Sequence, residues 1–378
     1  MPSRPSTARG FIATARGDKL RLALIAPTYE RVPPTAYGGT ETMVGLLADE
    51  LASRGHDVTL YATGDSRSQA RLASVTDRPH RYGQPDGLPH PEYVQLANAH
   101  AAFLDAADRS FDVVHNHAMV EGLALAAFSS TPVLTTCHNA YAPETDAIWR
   151  AYPWYHNALS RASAATFPER GAMAPIHHGI DVESFPFAET SAGYLLFLGR
   201  FSPTKGALTA IEVARSTGRP LILAGKVDRR DAAYFAARVK PEIDGSLIRY
   251  AGEVDGVTKR QLLAGAGALL FPIDWDEPFG LVMIEALSCG TPVIGLRRAS
   301  VPEIVDHGVT GFVVDDVAGM AEAVARVSTI QRFACRVTAE ARFSVARMVD
   351  DYEAAYATAI GLGPAAPLAG MGLAAAGR

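Results

Sequence analysis

The 378 residues carry 35 Lys plus Arg against 40 Asp plus Glu, a formal net charge of −5, with 48% hydrophobic and 20% charged residues. That balance fits a globular enzyme with room for two domains at roughly 150 residues each, and the lack of a basic cluster removes any electrostatic case for nucleic acid. Three scattered cysteines, Cys137, Cys289 and Cys335, argue against a disulfide framework or a zinc site and suit a reducing, cytoplasmic compartment, and no apolar run approaches the ~18 residues of a membrane span.

Residues 1–19 hold Arg4, Arg9, Arg16 and Lys19 but only Phe11-Ile12-Ala13 as an apolar stretch. A secretory signal needs an apolar core of roughly 7–15 residues, so this segment is expected to be a disordered tail. Leu20 to Ala26 is an apolar run closed by Pro27, the pattern of a buried parallel strand. A loop rich in proline and glycine follows to Gly39. Met43, Leu46, Leu47 and Leu51 then recur at helical spacing, with Gly55 at the C-terminal cap. Asp57–Ala62 is a second strand, completing a βαβ unit. Residues 64–93 are polar and broken by Gly and Pro, as loops would be. Strands are expected again at 111–114 and 132–136.

A fresh βαβ series starts at Gly193, with strands at 193–199, 220–224, 247–250, 268–272, 292–295 and 311–314. The fold class is therefore α/β, two Rossmann-like doubly wound domains facing each other across a cleft. The join lies between about residues 166 and 191, a stretch holding Pro168, Pro175, Gly179 and Pro186. The expected organisation is a tail over 1–19, an acceptor-side domain over 20–170 and a donor domain over 171–345. A helix over 346–360 follows, with a return to the first domain left open, and then a tail over 361–378. Ligands of doubly wound sheets bind at the carboxyl ends of the strands, so the motifs that matter should follow strands directly.

Four do. Asp274-Trp275-Asp276-Glu277-Pro278-Phe279-Gly280-Leu281-Val282 follows the strand ending at Pro272 and opens an apolar helix that contains Glu285. A helix N-terminus favours a phosphate, and carboxylates accept from sugar and ribose hydroxyls. If all eight steps were helical, Glu277 and Glu285 would lie roughly 12 Å apart. Gly199-Arg200-Phe201-Ser202-Pro203-Thr204-Lys205-Gly206 supplies two cations that could neutralise a diphosphate, although a solvated basic loop has the same composition. Tyr37-Gly38-Gly39-Thr40-Glu41 allows close backbone approach before a helix, with Glu41 read as a helix stabiliser. His115 and His117 follow one strand and His138 another; a backbone-bonding role for them stands about even with a functional one.

In the frame E-P-F-G-L-V-M-I-E-A-L-S-C-G-T-P-V-I, two glutamates with seven residues between them resemble the donor site of retaining glycosyltransferases of family four. These belong to the glycogen synthase/phosphatidylinositol mannosyltransferase-like superfamily with the GT-B fold. G-R-x-x-x-x-K-G is similar to that family's diphosphate element, and Ser300-Val301-Pro302-Glu303-Ile304 also fits. His178 stands where the family's N-G-V-D element has asparagine. The resemblance implies transfer of a sugar, a hexose above all, from a nucleotide-diphosphate sugar, with retention of anomeric configuration and no metal or other cofactor. The acceptor would be a small molecule, glycan or lipid. It makes Glu277, His138, Arg200 and Lys205 the catalytic candidates. Arg200, Lys205, Gly280, Leu281, Val282, Glu285, Gly38 and Gly39 would bind the donor, with Glu285 on its ribose. His115, His117 and Tyr37 are secondary candidates on the sugar or acceptor side. Asp274-Trp275-Asp276 is read as loop and helix-entry acids, not a metal site. Alternatives are a sugar-nucleotide epimerase or a phosphorylase on the same plan, or a non-catalytic nucleotide-sugar-binding protein. A dinucleotide oxidoreductase would need G-x-G-x-x-G after a strand, which neither half supplies.

Overall fold

The computed structural model describes residues 19–35, 38–80, 88–108, 111–151 and 155–365. The two expected tails lie almost wholly outside the described residues, as does Tyr37. The first sheet contains β1 (Arg21–Ile25), β2 (Asp57–Tyr61), β3 (Arg71–Ala73), β4 (Val113–Asn116), β5 (Val133–Cys137) and β6 (Tyr155–Ala158). The second contains β7 (Leu195–Leu198), β8 (Leu221–Ala224), β9 (Ile248–Gly252), β10 (Ala268–Phe271), β11 (Val293–Leu296) and β12 (Gly311–Val314). Every pairing is parallel.

The orders β3-β2-β1-β4-β5-β6 and β12-β11-β10-β7-β8-β9 are one topology used twice. In each, the chain starts at a central strand, steps outward, then returns to the other side of that strand. The reversal lies between β1 and β4 in the first sheet and between β7 and β10 in the second. At such a switch point two neighbouring loops leave in opposite directions and open a crevice. All four motifs singled out above leave strands at these two points or beside them.

The strands form because their residues are buried on both faces. Leu22, Leu24, Leu196, Leu221, Leu269 and Val293 have no exposed surface. Two strands depart from the expected pattern. Short β3 lies inside the stretch read as loops, and β6, Tyr-His-Asn-Ala, carries no apolar run. The last helix, Val345–Leu362, leaves the second domain and packs on the Gly39–Ser53 helix and on β4 and β5 of the first. Its Met348, Val349, Tyr352, Ala355 and Tyr356 are buried in the first domain's core. Among the described residues no helix is long and apolar enough to cross a membrane.

Candidate active site

The loops after β7 and β10 come together at the carboxyl edge of the second sheet. Lys205 ends the loop after β7 and bonds Glu277, from the loop after β10. Trp275 Nε1 donates to the same Glu277 Oε2 at 3.0 Å, and the Lys205 ammonium sits 4.8 Å from the Trp275 ring centroid. Both charged side chains are mostly buried, at 19% and 13% exposed. Arg200 faces two acids, Asp228 and Asp231, each at 3.5 Å. Asp228 also takes Lys226 at 3.1 Å. Burial alone would raise the Asp228 carboxyl, but the Lys226 hydrogen bond and the charges of Lys226, Arg200 and Arg230 outweigh it and hold it below its ordinary value. Neither cation read from the sequence is therefore unengaged.

The Leu281–Ser288 helix begins after Gly280, so only Leu281 to Glu285 of the Glu277–Glu285 stretch is helical, not all eight steps. Glu285 receives Lys259 Nζ at 2.6 Å. Asp274 and Asp276 both face the Arg298 guanidinium and are exposed. Among the described residues no group of three or more His, Cys, Asp and Glu is placed to hold a metal ion.

Gly206 closes the Arg200–Lys205 loop at φ +80, and a Cβ there would lie 2.0 Å from the Pro272 carbonyl oxygen. The loops after β7 and β10 thus touch backbone to backbone at this glycine. Gly206→Ala is expected to destabilise the protein by about 1–3 kcal/mol from backbone conformation alone. It should also weaken nucleotide binding by prying the loops apart. Chemical denaturation checks the first effect, and an unchanged midpoint would contradict it.

Across the cleft, the glycine loop of the first domain meets the Leu281–Ser288 helix. A Cβ on Gly39 would lie 3.1 Å from Leu281 Cδ1, and one on Gly38 would lie 3.1 Å from Glu41 Oε2 and nearer still to Pro34. Glu41 is 6% exposed. Burial raises its pKa from an ordinary 4.5 to about 7, against the pull of its own backbone N–H. The expected helix-stabilising acid is thus a carboxyl poised to hold a proton near neutrality.

The histidines divide. His115 lies inside β4, not after it, and has no exposed surface. Thr136 Oγ1 donates to Asn157 Oδ1, so it must accept from His115 Nε2–H at 2.8 Å. His115 Nδ1 is then the acceptor for the Tyr356 hydroxyl at 2.7 Å. Both ring nitrogens are spent tying β4 to β5 and the returning helix, which corrects the sugar-side assignment of His115. Tyr356→Phe leaves a buried acceptor unsatisfied and should cost about 1–3 kcal/mol, read as a lower unfolding midpoint. A midpoint unchanged by that substitution would contradict the assignment.

His117 follows β4 and meets His138 after β5, Nδ1 to Nε2 at 2.9 Å. Burial pushes the His138 pKa down to about 3. Burial, and then the neighbouring imidazoles, push that of His117 well below its ordinary value. His178 stacks on His138 at 5.5 Å between centroids and stands edge-on to Phe279 at 5.1 Å. It thereby links the two domains. His117 Nε2, His138 Nδ1 and His178 Nδ1 are buried without a hydrogen-bond partner among the described residues.

Sequence reasoning missed the acids opposite Arg200, the Lys259 partner of Glu285 and the second link between the domains. In that link, Glu303 accepts the backbone N–H groups of Arg161 and Ala162, each at 2.9 Å. No local signal marks such pairs.

Known proteins share this fold. Residues 192–329 match the family described as Glycosyl transferases group 1, and residues 37–183 match Glycosyltransferase Family 4. The chain is 28% identical to a glycogen synthase of Mycobacterium tuberculosis, over 88% of this chain and 91% of that one. It is 26% identical to a phosphatidyl-myo-inositol mannosyltransferase of Mycolicibacterium smegmatis, over 81% and 84%. A solved glycosyltransferase involved in avilamycin A biosynthesis superposes with a TM-score of 0.69 at 25% identity, over 91% of this chain and 99% of that one. Sucrose-phosphate synthase from Thermosynechococcus elongatus shares the fold with a TM-score of 0.74 at 19% identity, over 91% and 100%. With one match on each sheet-bearing half and relatives aligned along most of its length, the chain belongs to the family-four glycosyltransferases of the GT-B fold.

Proposed function

We propose that this protein transfers a hexose from a nucleoside-diphosphate sugar to a small-molecule, glycan or lipid acceptor in the cytoplasm, with retention at the anomeric carbon and without a resident metal. The observation that carries the reading is the convergence of Arg200, Lys205, Glu277 and the start of the Leu281–Ser288 helix at one switch point, opposite Gly38 and Gly39. Cations and free helix N–H groups at that edge suit a diphosphate. A lysine ammonium has three donors, so Lys205 can keep Glu277 while taking a phosphate oxygen. Glu277 is then oriented by Lys205 and Trp275 to accept from a sugar hydroxyl.

Charge grows on the leaving diphosphate as the glycosidic bond breaks, and fixed cations meet it without reorganising. The leaving phosphate takes the acceptor hydroxyl proton on the same face, which accounts for retention. His138, held by His117, supplies its Nδ1 on the sugar side. The three cysteines are buried and free, in keeping with a reducing compartment.

Thermal-shift measurements with UDP, GDP, ADP and TDP test the donor reading, since a ligand at 100 times its Kd adds about 2.7 kcal/mol of stability. One of the four should raise the midpoint. If all four leave it unmoved, the reading fails. Proton NMR of the first sugar product then tests retention, and an inverted anomer contradicts it.

A further inference from the structure

The parallel second sheet sends each following helix away from one edge. The Gly256–Gly265 helix after β9 therefore starts at the same carboxyl edge as the Arg200–Lys205 loop and the Leu281–Ser288 helix. Asp255 caps it by accepting the Thr258 N–H at 2.7 Å, which fixes its first turn. Lys259 stands in that turn. Its ammonium reaches Glu285 Oε1 at 2.6 Å, the one ion pair of this carboxylate among the described residues. The exposures are unequal: the carboxylate side chain is 12% exposed and the lysine 31%. The acid lies on the inner side and the cation closes it from outside.

We infer that Lys259 is a positioning residue of the donor site, one that holds the Glu285 side chain oriented and so makes the protein select ribonucleoside over deoxyribonucleoside diphosphates. The inference rests on the donor-site reading above, in which Glu285 takes the ribose. Without a fixed partner the Glu285 side chain loses its set rotamer, and its oxygens are not held where two neighbouring hydroxyls can both reach them. With Lys259 bound to one oxygen, the plane of the carboxylate is set. Its remaining lone pairs accept from the 2′ and 3′ hydroxyls, a pair that deoxyribose cannot offer. Hydrogen bonds to a charged acceptor are the strong kind, so a missing hydroxyl is felt. A plain strap between two helices would show no such preference, because a contact that only joins the helices acts equally on every ligand.

Calorimetric titration of the full chain with UDP, GDP and ADP, each beside its 2′-deoxy counterpart, separates the two roles. Wild type should bind the preferred ribonucleotide about tenfold or more tightly than the deoxy form. Lys259→Met should bring that ratio to within about twofold by weakening the ribonucleotide alone. Lys259→Arg should restore most of it, and Lys259→Gln, which keeps a donor but no charge, should fall between. A ratio that survives Lys259→Met, or equal losses for both nucleotides, overturns the inference and leaves the donor site standing. So does a wild-type ratio near one. If no nucleoside diphosphate binds wild type, the donor reading falls and this inference falls with it.

Discussion

Arg200→Ala is expected to lower turnover by about 10²–10³-fold, the scale of removing one preorganised donor at a developing negative charge. Lys205→Ala should cost less, because a guanidinium can grip two phosphate oxygens and an ammonium is a point charge. The surroundings of Arg200 widen that gap. With the guanidinium gone, Asp228 and Asp231 face the incoming diphosphate without their nearest shared cation, and Lys226 and Arg230 still act on Asp228. Removing one of them in the same protein, as Arg200→Ala with Asp231→Asn, should recover part of the loss. Release of nucleoside diphosphate from the donor is the readout. Wild type should keep its rate in excess EDTA, since the charge is met by side chains. Complete loss in EDTA, restored by magnesium or manganese, would move the role to a metal. Full activity of Arg200→Ala would remove the guanidinium from the site.

Glu41→Gln should stabilise the protein at alkaline pH by about 3 kcal/mol, the free energy of a shift from 4.5 to about 7. Across that window the folded protein keeps the proton on Glu41 while the unfolded chain releases it. The folded state therefore binds more protons, and its stability falls as pH rises from 4.5 to 7. Above 7 the whole loss is in place, because a bare carboxylate must then stay buried under the glycine loop. Glutamine never ionises, so the difference between variant and wild type should be near zero at pH 4.5 and full by pH 8. Buried neutral His115, His117, His138 and His178 act with the opposite sign. Their folded values lie below the ordinary 6.5, so their stabilisation is present above 6.5 and lost as pH falls. They are common to both proteins and cancel in the difference. Urea unfolding at a series of pH values measures it, and a flat difference would mean that Glu41 titrates normally.

The fold could be read because buried parallel strands are continuous apolar runs and helices repeat every 3.6 residues. Leu195–Leu198 or Val293–Leu296 admits no other reading. β6 escaped because His156 and Asn157 are buried polar residues at the place where a strand of this kind usually has Val or Ile. The site could be read in part because in a doubly wound sheet the loops after strands are the ligand-facing ones. Arg200, Lys205, Glu277 and Gly39 all fall in or beside such loops. What could not be read was who meets whom. Lys259 and Glu285 are 26 residues apart, Ala162 and Glu303 are 141 apart, and His115 and Tyr356 are 241 apart. Such pairs are set by where the sheets place the loops, and no window of sequence contains both members. That is why the partners of Arg200 and Lys205 were not foreseen, and why His115 was placed on the sugar or acceptor side when it anchors the last helix.

The Val345–Leu362 helix makes the first domain wait for the second to be synthesised. Residues 21–158 can lay down all six strands of the first sheet early, yet five residues of its core lie between Met348 and Tyr356. At roughly 5–20 residues per second, the ribosome needs on the order of ten seconds or more to deliver them after the first sheet has emerged. Until then β4 and β5 present to water the face that Tyr352 and Tyr356 will cover. A nascent chain stalled just after Phe343 would thus carry the second domain's core complete and the first domain's core still open.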